Sequence, residues 1–411
     1  MTTWKASAEL DAADPLNQLR LQFVLPTDKI YLDGNSLGPL SRNVREHLTL
    51  VSNEQWAEDL IAGWNTHHWI DLPLKVGNQL APILGAQMGE VLCCDNLSIN
   101  LFKCLAAALE LNAPRKKILT EAHHFPTDNY IAQGLSQLLG GARCEVQHVA
   151  LEDLEHTDLH EVAVISLSHV NFKTGELRDM ERITQQAHDA GCLIVWDVAH
   201  SAGVVDIDLT QHNVDMAVGC TYKFLNAGPG APGFLFMAQR HQHVSVVLQG
   251  WMGHANGFGF ESHYRPAEGI ARFLTGTQSV LAMAAVSAAL SIFESVSLSD
   301  IRQKSLALTD HFLAHLATTE GTSSIKILTP RDHANRGSQV SLSIAYGYPV
   351  SQALIDRGVI VDFREPDIVR FGFSPLYNRF SEAERAANLL GHILLTEQFR
   401  NPCYTERRKV T

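Results

Sequence analysis

The sequence lacks the features that mark several large classes of protein. Its 32 basic side chains are outnumbered by 44 acidic ones, and the net charge of −12 leaves no basic surface of the kind that attracts nucleic acids and anionic membranes. Its seven cysteines are odd in number and include no C-x-x-C pair, so a disulfide framework is not expected. These absences argue against nucleic acid as a partner and favour reduced thiols, a cytoplasmic location and small-molecule chemistry.

Signals for export and for a membrane are also missing. The first 20 residues, "MTTWKASAELDAADPLNQLR", carry acidic residues where a signal peptide has a basic and then an apolar run. The apolar stretch 280–293 is too short to span a bilayer. We therefore expect no membrane association.

Histidine is plentiful, and the pairs "THHW" and "AHHF" raise a zinc protein as one alternative. Adjacent histidines on one strand point to opposite faces, however, and cannot converge on one ion. We expect no metal site.

Between residues 160 and 240 the sequence alternates two periodicities. "EVAVISLSHV" and "GCLIVWDVAH" are short apolar runs typical of buried strands, and "DMERITQQAHDAG" between them has helical spacing and ends at Gly191, a candidate C-terminal cap. A strand, helix, strand unit predicts an α/β fold with a mostly parallel central sheet. Ligands of such sheets bind at the carboxyl ends of the strands.

The chain is long enough for one large and one smaller domain. "NLSINLFKCLAAALELN" predicts a helix that begins between Asn96 and Ser98, and "RKKILTEAHHFPTDNY" predicts a strand followed by a proline turn. A long buried helix is expected in "GTQSVLAMAAVSAALSIFESV". We place boundaries to give an N-terminal segment (1–70), a large domain (71–297) and a C-terminal α+β domain (298–411).

Two charged residues follow apolar runs where an isolated charge would be expensive. Asp197 comes directly after "CLIVW", and Lys223 follows "VDMAVGC" by two residues. A structural ion pair is the simpler interpretation of such a pair. Three neighbouring features favour a second interpretation of the two charges: His200 near Asp197, Tyr222 beside Lys223, and the glycine-rich "NAGPG". Together they resemble a site for pyridoxal phosphate, in which the lysine forms a Schiff base and the aspartate keeps the pyridine nitrogen protonated.

The rest of such a cofactor can be assigned in the same way. The helix start at Leu97 and Ser98 suits a phosphate, because free amide groups and the helix dipole both favour negative charge there. Phe125 in "HHFPTD" could stack on the pyridine ring, with Asp128 near its polar edge. A phenylalanine in a proline turn is equally explained by core packing.

Seven motifs from residue 31 to residue 378 resemble kynureninase when taken together. They are "YLDGNSLGPL", "FPTD", "DVAHSAG", "YKFLNAGPG", "GWMGH", "RFLTGTQ" and "RFGFSPLYN", and they span nearly the whole chain in order. A lysine in a glycine-flanked run recurs among fold-type I pyridoxal phosphate enzymes. "YLDGNSLG" with "GWMGH" is more discriminating.

The resemblance implies a fold-type I homodimer of the aspartate aminotransferase-like class with active sites at the subunit interface. It implies that Lys223 and Tyr222 are catalytic and that Asp197 pairs with the cofactor ring. The other implied cofactor contacts are Leu97, Ser98, Phe125, Pro126, Thr127, Asp128, Ser168, His200, Trp251 and Thr277, with Trp251 and Thr277 reaching in from the second subunit. Arg370 is expected to bind the substrate α-carboxylate, and Trp64, Asn35 and Ser36 are expected to face the substrate.

The implied reaction is hydrolysis of the Cβ–Cγ bond of L-kynurenine, or of its 3-hydroxy derivative, to anthranilate or 3-hydroxyanthranilate and L-alanine, in tryptophan catabolism and NAD biosynthesis. A class V aminotransferase, a cysteine desulfurase-like lyase and a non-catalytic scaffold are alternatives. A desulfurase needs a reactive cysteine on a loop in the C-terminal third, where only Cys403 is present. A scaffold would not need Lys223 and Asp197.

Overall fold

The structure is a computed structural model that describes residues 6–407. Residues 1–5 of the segment compared with signal peptides, and residues 408–411 of the polar tail, lie outside it. The helices are α1 (Ser7–Ala13), α2 (Arg42–Leu50), α3 (Ala57–Asp59), α4 (Gly63–Thr66), α5 (Leu72–Leu80), α6 (Leu97–Leu111), α7 (Pro126–Leu139), α8 (Met180–Asp189), α9 (Val280–Leu290), α10 (Leu298–Thr318), α11 (Gly347–Asp356) and α12 (Phe380–Leu395).

The strands form three sheets. They are β1 (Ile30–Tyr31), β2 (Val91–Cys93), β3 (Lys117–Glu121), β4 (Glu145–Val149), β5 (Val162–Ser168), β6 (Leu193–Asp197), β7 (Met216–Cys220), β8 (Gly233–Met237), β9 (Lys326–Ile327), β10 (Gln339–Ser343), β11 (Val359–Ile360), β12 (Asp362–Arg364) and β13 (Ile368–Gly372). The central sheet has seven strands in the order β2-β8-β7-β6-β5-β3-β4. β8 runs antiparallel to both of its neighbours, β2 and β7, and the other described pairs of this sheet are parallel, which confirms the predicted α/β class.

The expected strand, helix, strand unit is β5, α8 and β6, and β5 pairs with β6 in parallel. The Asp179 side chain accepts a hydrogen bond from the Arg182 amide at 3.0 Å and begins α8. Gly191 follows the helix with φ +70°, a conformation that favours glycine. The predicted cap at Gly191 is confirmed.

Helices cover both faces of the central sheet. Ile194 and Trp196 pack into the same apolar cluster as α8 and α9, whereas Val195 packs with residues of α6 and α7. This alternation follows from the two-residue period of a strand. With both faces buried, polar side chains of these strands become accessible only at the strand ends.

The C-terminal region has its own antiparallel sheet, β12-β13-β10-β9, which packs in a third apolar cluster with α10, α11 and α12. The Ser297 hydroxyl accepts a hydrogen bond from the Asp300 amide at 3.0 Å and begins α10 at the residue after the proposed boundary. Strand β1 pairs with β11 in parallel, which ties the N-terminal segment to the C-terminal region.

Two local expectations need correction. The segment "FPTD" begins a helix, α7, because proline at the first helical position has no amide hydrogen to satisfy and has a helical φ. The helix expected across residues 276–296 is shorter, since α9 ends at Leu290 and a tighter 3₁₀ turn follows. Within residues 6–407 no single helix is long and apolar enough to cross a membrane; only Val280–Ser295 and Leu298–Thr318 reach that length together, and they are bent by 87°.

Candidate active site

The two charged residues singled out in the sequence lie at the same carboxyl edge of the central sheet. Asp197 is the last residue of β6, and Lys223 lies in the loop after β7, the neighbouring parallel strand. The Lys223 Nζ atom lies 2.9 Å from Nε2 of His200. Oδ1 of Asp197 accepts a hydrogen bond from the Ala199 amide at 2.8 Å, which fixes the carboxyl group at the strand end.

Burial controls the charge of this cluster. Burial, and next the charge of Asp128, raise the pKa of Asp197 to about 7, although Lys223 and His124 oppose the shift. Burial and the charge of Lys223 lower the pKa of His200 well below its usual value. A neutral His200 accepts the lysine hydrogen bond at Nε2 and keeps its proton on Nδ1. That Nδ1 has no hydrogen-bond partner among the described residues.

The predicted phosphate position is the beginning of α6. The Asn96 side chain caps the helix by accepting the Ile99 amide at 3.1 Å, which leaves the amides of Leu97 and Ser98 at the open end of the first turn. A Cβ atom at Gly233 would lie 2.8 Å from the Leu97 nitrogen. Glycine at the start of β8 therefore lets the helix end approach the sheet edge closely.

Tyr222 keeps its proton at neutral pH. The neighbouring Cys220 and burial raise the pKa of its hydroxyl, so it is available as a proton donor. Its carbonyl accepts a hydrogen bond from the Gly38 amide at 2.7 Å. A Cβ atom at Gly38 would lie 2.4 Å from the Lys223 carbonyl oxygen, so the "YLDGNSLG" segment packs directly on the lysine loop.

The "FPTD" segment lies at the same edge of the sheet. Phe125 is 40% exposed and contacts Phe172 edge to face, with ring centroids 5.1 Å apart. Pro126 and Thr127 form the start of α7, and Asp128 is buried with Oδ2 3.0 Å from Nδ1 of His124. The Oδ1 atom of Asp128 has no hydrogen-bond partner within residues 6–407.

Ser168 ends β5 directly opposite Asp197 in the sheet register. Its hydroxyl lies 3.5 Å from Nε2 of His124, and its carbonyl accepts a hydrogen bond from Arg178 at 2.6 Å. It therefore shares the sheet edge with Asp197 and His200.

The proposed substrate residues fall into two environments. Arg370 is buried on β13 and pairs with Asp362, and its Nη2 also donates to the Ser36 hydroxyl at 3.2 Å. Asn35 is buried and its amide donates to the Gln339 side chain at 3.3 Å, so the structure shows it mainly as a link to β10.

Trp64 in α4 packs edge to face on Trp69, with ring centroids 5.9 Å apart. Trp251 and Thr277 are both exposed. Thr277 lines a cavity of about 330 Å³ with Asp95 and Gly230, close to the beginning of α6. The roles assigned to all three from the sequence remain predictions.

Sequence reasoning missed His124, Asp362 and Arg364. His124 was hidden within "AHHF", where its pairing with Asp128 depends on the helix that starts between them. Asp362 and Arg364 are two residues apart on the short strand β12. Only the pairing of β12 with β13 places them beside Arg370.

The expectation of no metal site overlooked a spacing in the sequence. His311 and His315 are four residues apart on α10, and a carboxylate oxygen of Glu384 lies within 4.8 Å of a nitrogen of each. The Ser7 hydroxyl lies 2.8 Å from Nε2 of His311 and donates to Glu384, so hydrogen bonding explains this cluster without an ion. The absence of a metal stays a prediction.

The site as a whole fits pyridoxal phosphate. It offers an amine at Lys223, a buried carboxyl at Asp197 for a ring nitrogen, and a helix N-terminus for a phosphate. The buried N–H of His200 and the buried Oδ1 of Asp128 have no hydrogen-bond partners among the described residues, as expected where a polar group is missing.

Known proteins support the same interpretation. The profile of the kynureninase C-terminal domain matches residues 301–390. The chain is 44% identical to kynureninase from Pseudomonas fluorescens and 46% identical to kynureninase from Burkholderia pseudomallei strain 1106a, with full coverage of both chains in each case.

Solved structures share the fold at low sequence identity. The cysteine desulfurase from Thermococcus onnurineus NA1 is 19% identical with a TM-score of 0.76, over 96% of this chain and 100% of that one. A C-DES mutant with glycine covalently linked to its PLP cofactor is 17% identical with a TM-score of 0.78, over 90% of this chain and 98% of that one. These low identities show the fold alone. The 44% and 46% identity over the full length of the two kynureninases shows the family: the chain belongs to the kynureninase family.

Proposed function

We propose that the chain is a pyridoxal-phosphate-dependent hydrolase that cleaves the Cβ–Cγ bond of L-kynurenine to give anthranilate and L-alanine. The observation that carries the proposal is the meeting of Lys223, His200 and Asp197 at the carboxyl edge of β6 and β7 in a chain of this family. 3-Hydroxy-L-kynurenine is the proposed second substrate.

When bound, pyridoxal phosphate supplies an electron sink that stabilises negative charge on the substrate α carbon. Lys223 would hold the cofactor, and its Nζ atom would take the substrate α proton when the amine is free. Its 2.9 Å contact with His200 keeps Nζ beside the sheet edge. Burial disfavours the ionised form of Asp197. A cationic ring nitrogen paired with the carboxylate would favour that form again.

Tyr222 is the proposed proton donor. Its raised pKa keeps the phenol protonated, so it can deliver a proton to the β carbon that cleavage leaves negatively charged. Water adds to the γ carbonyl before this cleavage and forms the carboxyl group of anthranilate. Arg370, Ser36 and Trp64 bind the substrate in this scheme.

The test is anthranilate fluorescence from L-kynurenine without any added keto acid. We expect turnover by the wild type and none by Lys223→Ala, which should also lack the visible absorbance of the bound cofactor. Lys117→Ala, at the opposite end of β3 where Lys117 pairs with Glu161, is the matched control and should keep full activity. Activity that requires a keto acid would indicate an aminotransferase, and sulfide release from L-cysteine would indicate a desulfurase.

We also propose that the active unit is a homodimer in which Trp251 and Thr277 complete the partner's phosphate site. Large apolar side chains are exposed in the segment that contains Trp251, including Phe258 at 66% and Phe260 at 82%. Phe258 packs edge to face on Trp251 at 5.4 Å, so the exposed aromatic group is contiguous. Such exposed groups are typical of surfaces that a second subunit covers.

Mixing two inactive variants tests this arrangement. Lys223→Ala and Trp251→Ala chains, unfolded and refolded together, should form mixed dimers with one intact site each. Random pairing gives about one quarter of wild-type activity. No recovery in mixed dimers shown to have formed would refute the assignment of Trp251 to the partner's site.

Location and substrate preference complete the proposal. The described cysteines are free thiols and all but Cys403 are buried, which suits the reducing cytoplasm. The bulky Trp64 indole favours kynurenine over its 3-hydroxy form. Comparing kcat/KM for the two substrates checks this preference directly.

A further inference from the structure

Arg370 is the proposed ligand of the substrate α-carboxylate, yet most of its donors are already used. Its Nε donates to Oδ1 of Asp362 at 2.6 Å, and Nη2 binds Oδ2 of the same carboxylate. Nη1 donates to the Phe172 carbonyl at 2.6 Å, and Nη2 also donates to Ser36. A guanidinium has five N–H donors, so among the described contacts a single Nη1 hydrogen remains. A two-donor clamp on a carboxylate needs one more donor.

Arg364 can supply that donor. It lies two residues beyond Asp362 on β12, so both side chains lie on the same face of the strand. Its Nη2 is 2.9 Å from Oδ2 of Asp362, and Nη1 donates to the Phe363 carbonyl at 2.8 Å. Among contacts within residues 6–407, Nε and one hydrogen on each terminal nitrogen of Arg364 are left over, and one third of the side chain is exposed.

Both arginines lie close to the lysine end of the site. Asp362 is directly opposite Arg370 in the register of β12 and β13. Ser36, which accepts a hydrogen bond from Arg370, lies two residues before Gly38, and the Gly38 amide donates at 2.7 Å to the carbonyl of Tyr222, the residue before Lys223. In keeping with this geometry, the positive charges of Arg370 and Arg364 add to burial and Lys223 in lowering the pKa of His200. A carboxylate bound between the two guanidinium groups would therefore lie near the amine that reacts with the substrate.

The charge balance of the cluster also favours one more anion. Burial opposes the charge of Asp362, but the charge and hydrogen bond of Arg370, the charge of Arg364 and the Ser36 hydroxyl together outweigh burial and lower its pKa. Burial and the charge of Asp362 raise the pKa of the neighbouring Asp33, so Asp33 is readily protonated. At neutral pH the partly ionised Asp33 and the ionised Asp362 together carry less negative charge than the two guanidinium groups carry positive charge, so a substrate carboxylate improves the balance.

We propose that Arg364 is a second carboxylate-binding residue, which holds the substrate α-carboxylate jointly with the remaining Nη1 donor of Arg370. Asp362 is a positioning residue that orients both guanidinium groups. The inference rests on the proposed function because it concerns the substrate of that site. The alternative is that Arg364 only neutralises Asp362 and never touches the substrate.

The test compares L-kynurenine with its α-carboxamide in the cofactor-loaded enzyme. Arg364→Gln should raise KM for L-kynurenine by about 10- to 100-fold, the value of one charge-assisted hydrogen bond, while kcat changes much less. With the carboxamide, wild type and Arg364→Gln should agree within about twofold, because no carboxylate is left to bind. Arg364→Lys should recover part of the loss, and Arg357→Gln, an exposed arginine after α11, should behave as wild type.

Asp362→Asn separates positioning from binding. It should raise KM for L-kynurenine and leave the carboxamide little changed, because it loosens the two arginines without touching the rest of the substrate. Unchanged cofactor absorbance and thermal midpoint in each variant show that the site is intact.

A binding measurement keeps the inference independent of carbon–carbon cleavage. Titration of the cofactor-loaded protein with L-alanine and L-alaninamide, followed by absorbance, should show a loss of about tenfold or more for L-alanine alone in Arg364→Gln. Equal effects on acid and amide, or no effect on the acid, would overturn the role of Arg364. A wild type that binds L-alanine but does not cleave L-kynurenine would instead overturn the proposed function.

Discussion

Replacing Asp197 by asparagine should make the cofactor-free protein more stable. The side chain is buried, and burial together with Asp128 raises its pKa from 3.8 to about 7. An acid whose folded pKa exceeds its unfolded pKa contributes stability below about pH 4 and loses it as the pH rises toward 7. A shift of about three units at 1.36 kcal/mol per unit corresponds to about 4 kcal/mol at neutral pH. Asparagine keeps the acceptor for the Ala199 amide and carries no charge.

The assay is urea unfolding of the cofactor-free wild type and Asp197→Asn between pH 5 and pH 8. We expect the variant to be more stable by about 2 to 4 kcal/mol at pH 8, with a smaller difference at pH 5. Pyridoxal phosphate should reverse the order, because only the carboxylate stabilises a cationic ring nitrogen. A variant that is less stable without cofactor at pH 8, or a difference that does not vary with pH, would refute the reasoning.

Three further changes test the frame around the site. Asp215→Asn should reduce the free energy of unfolding by about 2 to 4 kcal/mol at pH 7, measured by chemical unfolding. The reason is that hydrogen bonds from His188 and His241 outweigh burial and lower the pKa of the buried Asp215 carboxyl. The loss of stability should therefore become smaller below about pH 4. Gly38→Ala should cost about 1 to 3 kcal/mol and weaken cofactor binding by moving the Lys223 loop, whereas Gly141→Ala has open space and should be neutral in both assays. Ser297→Ala should cost about 1 kcal/mol in thermal unfolding through loss of the α10 cap, with kcat unchanged.

Local patterns were sufficient for much of the fold. The apolar run before Asp197, the helical spacing before Gly191 and the cap before Leu97 each depend on residues close together in sequence. Because parallel strands end at one edge, the same patterns also place Asp197 near Lys223. The motifs indicated pyridoxal phosphate as the cofactor, since they contain a helix start, an aspartate and a lysine in a fixed order along the chain.

Only the tertiary structure decided which long-range partners each charged group has. The sequence does not show that Asp362 takes up two of the hydrogen-bond donors of Arg370, because that contact depends on the register of β12 and β13. Nor does it show the packing of Gly38 on the Lys223 carbonyl, which joins segments about 185 residues apart. The sequence alone determined which side chains are candidates for the chemistry. The fold decided how many hydrogen-bond donors each of them has left for a substrate, because neighbours that are distant along the chain take up the other donors.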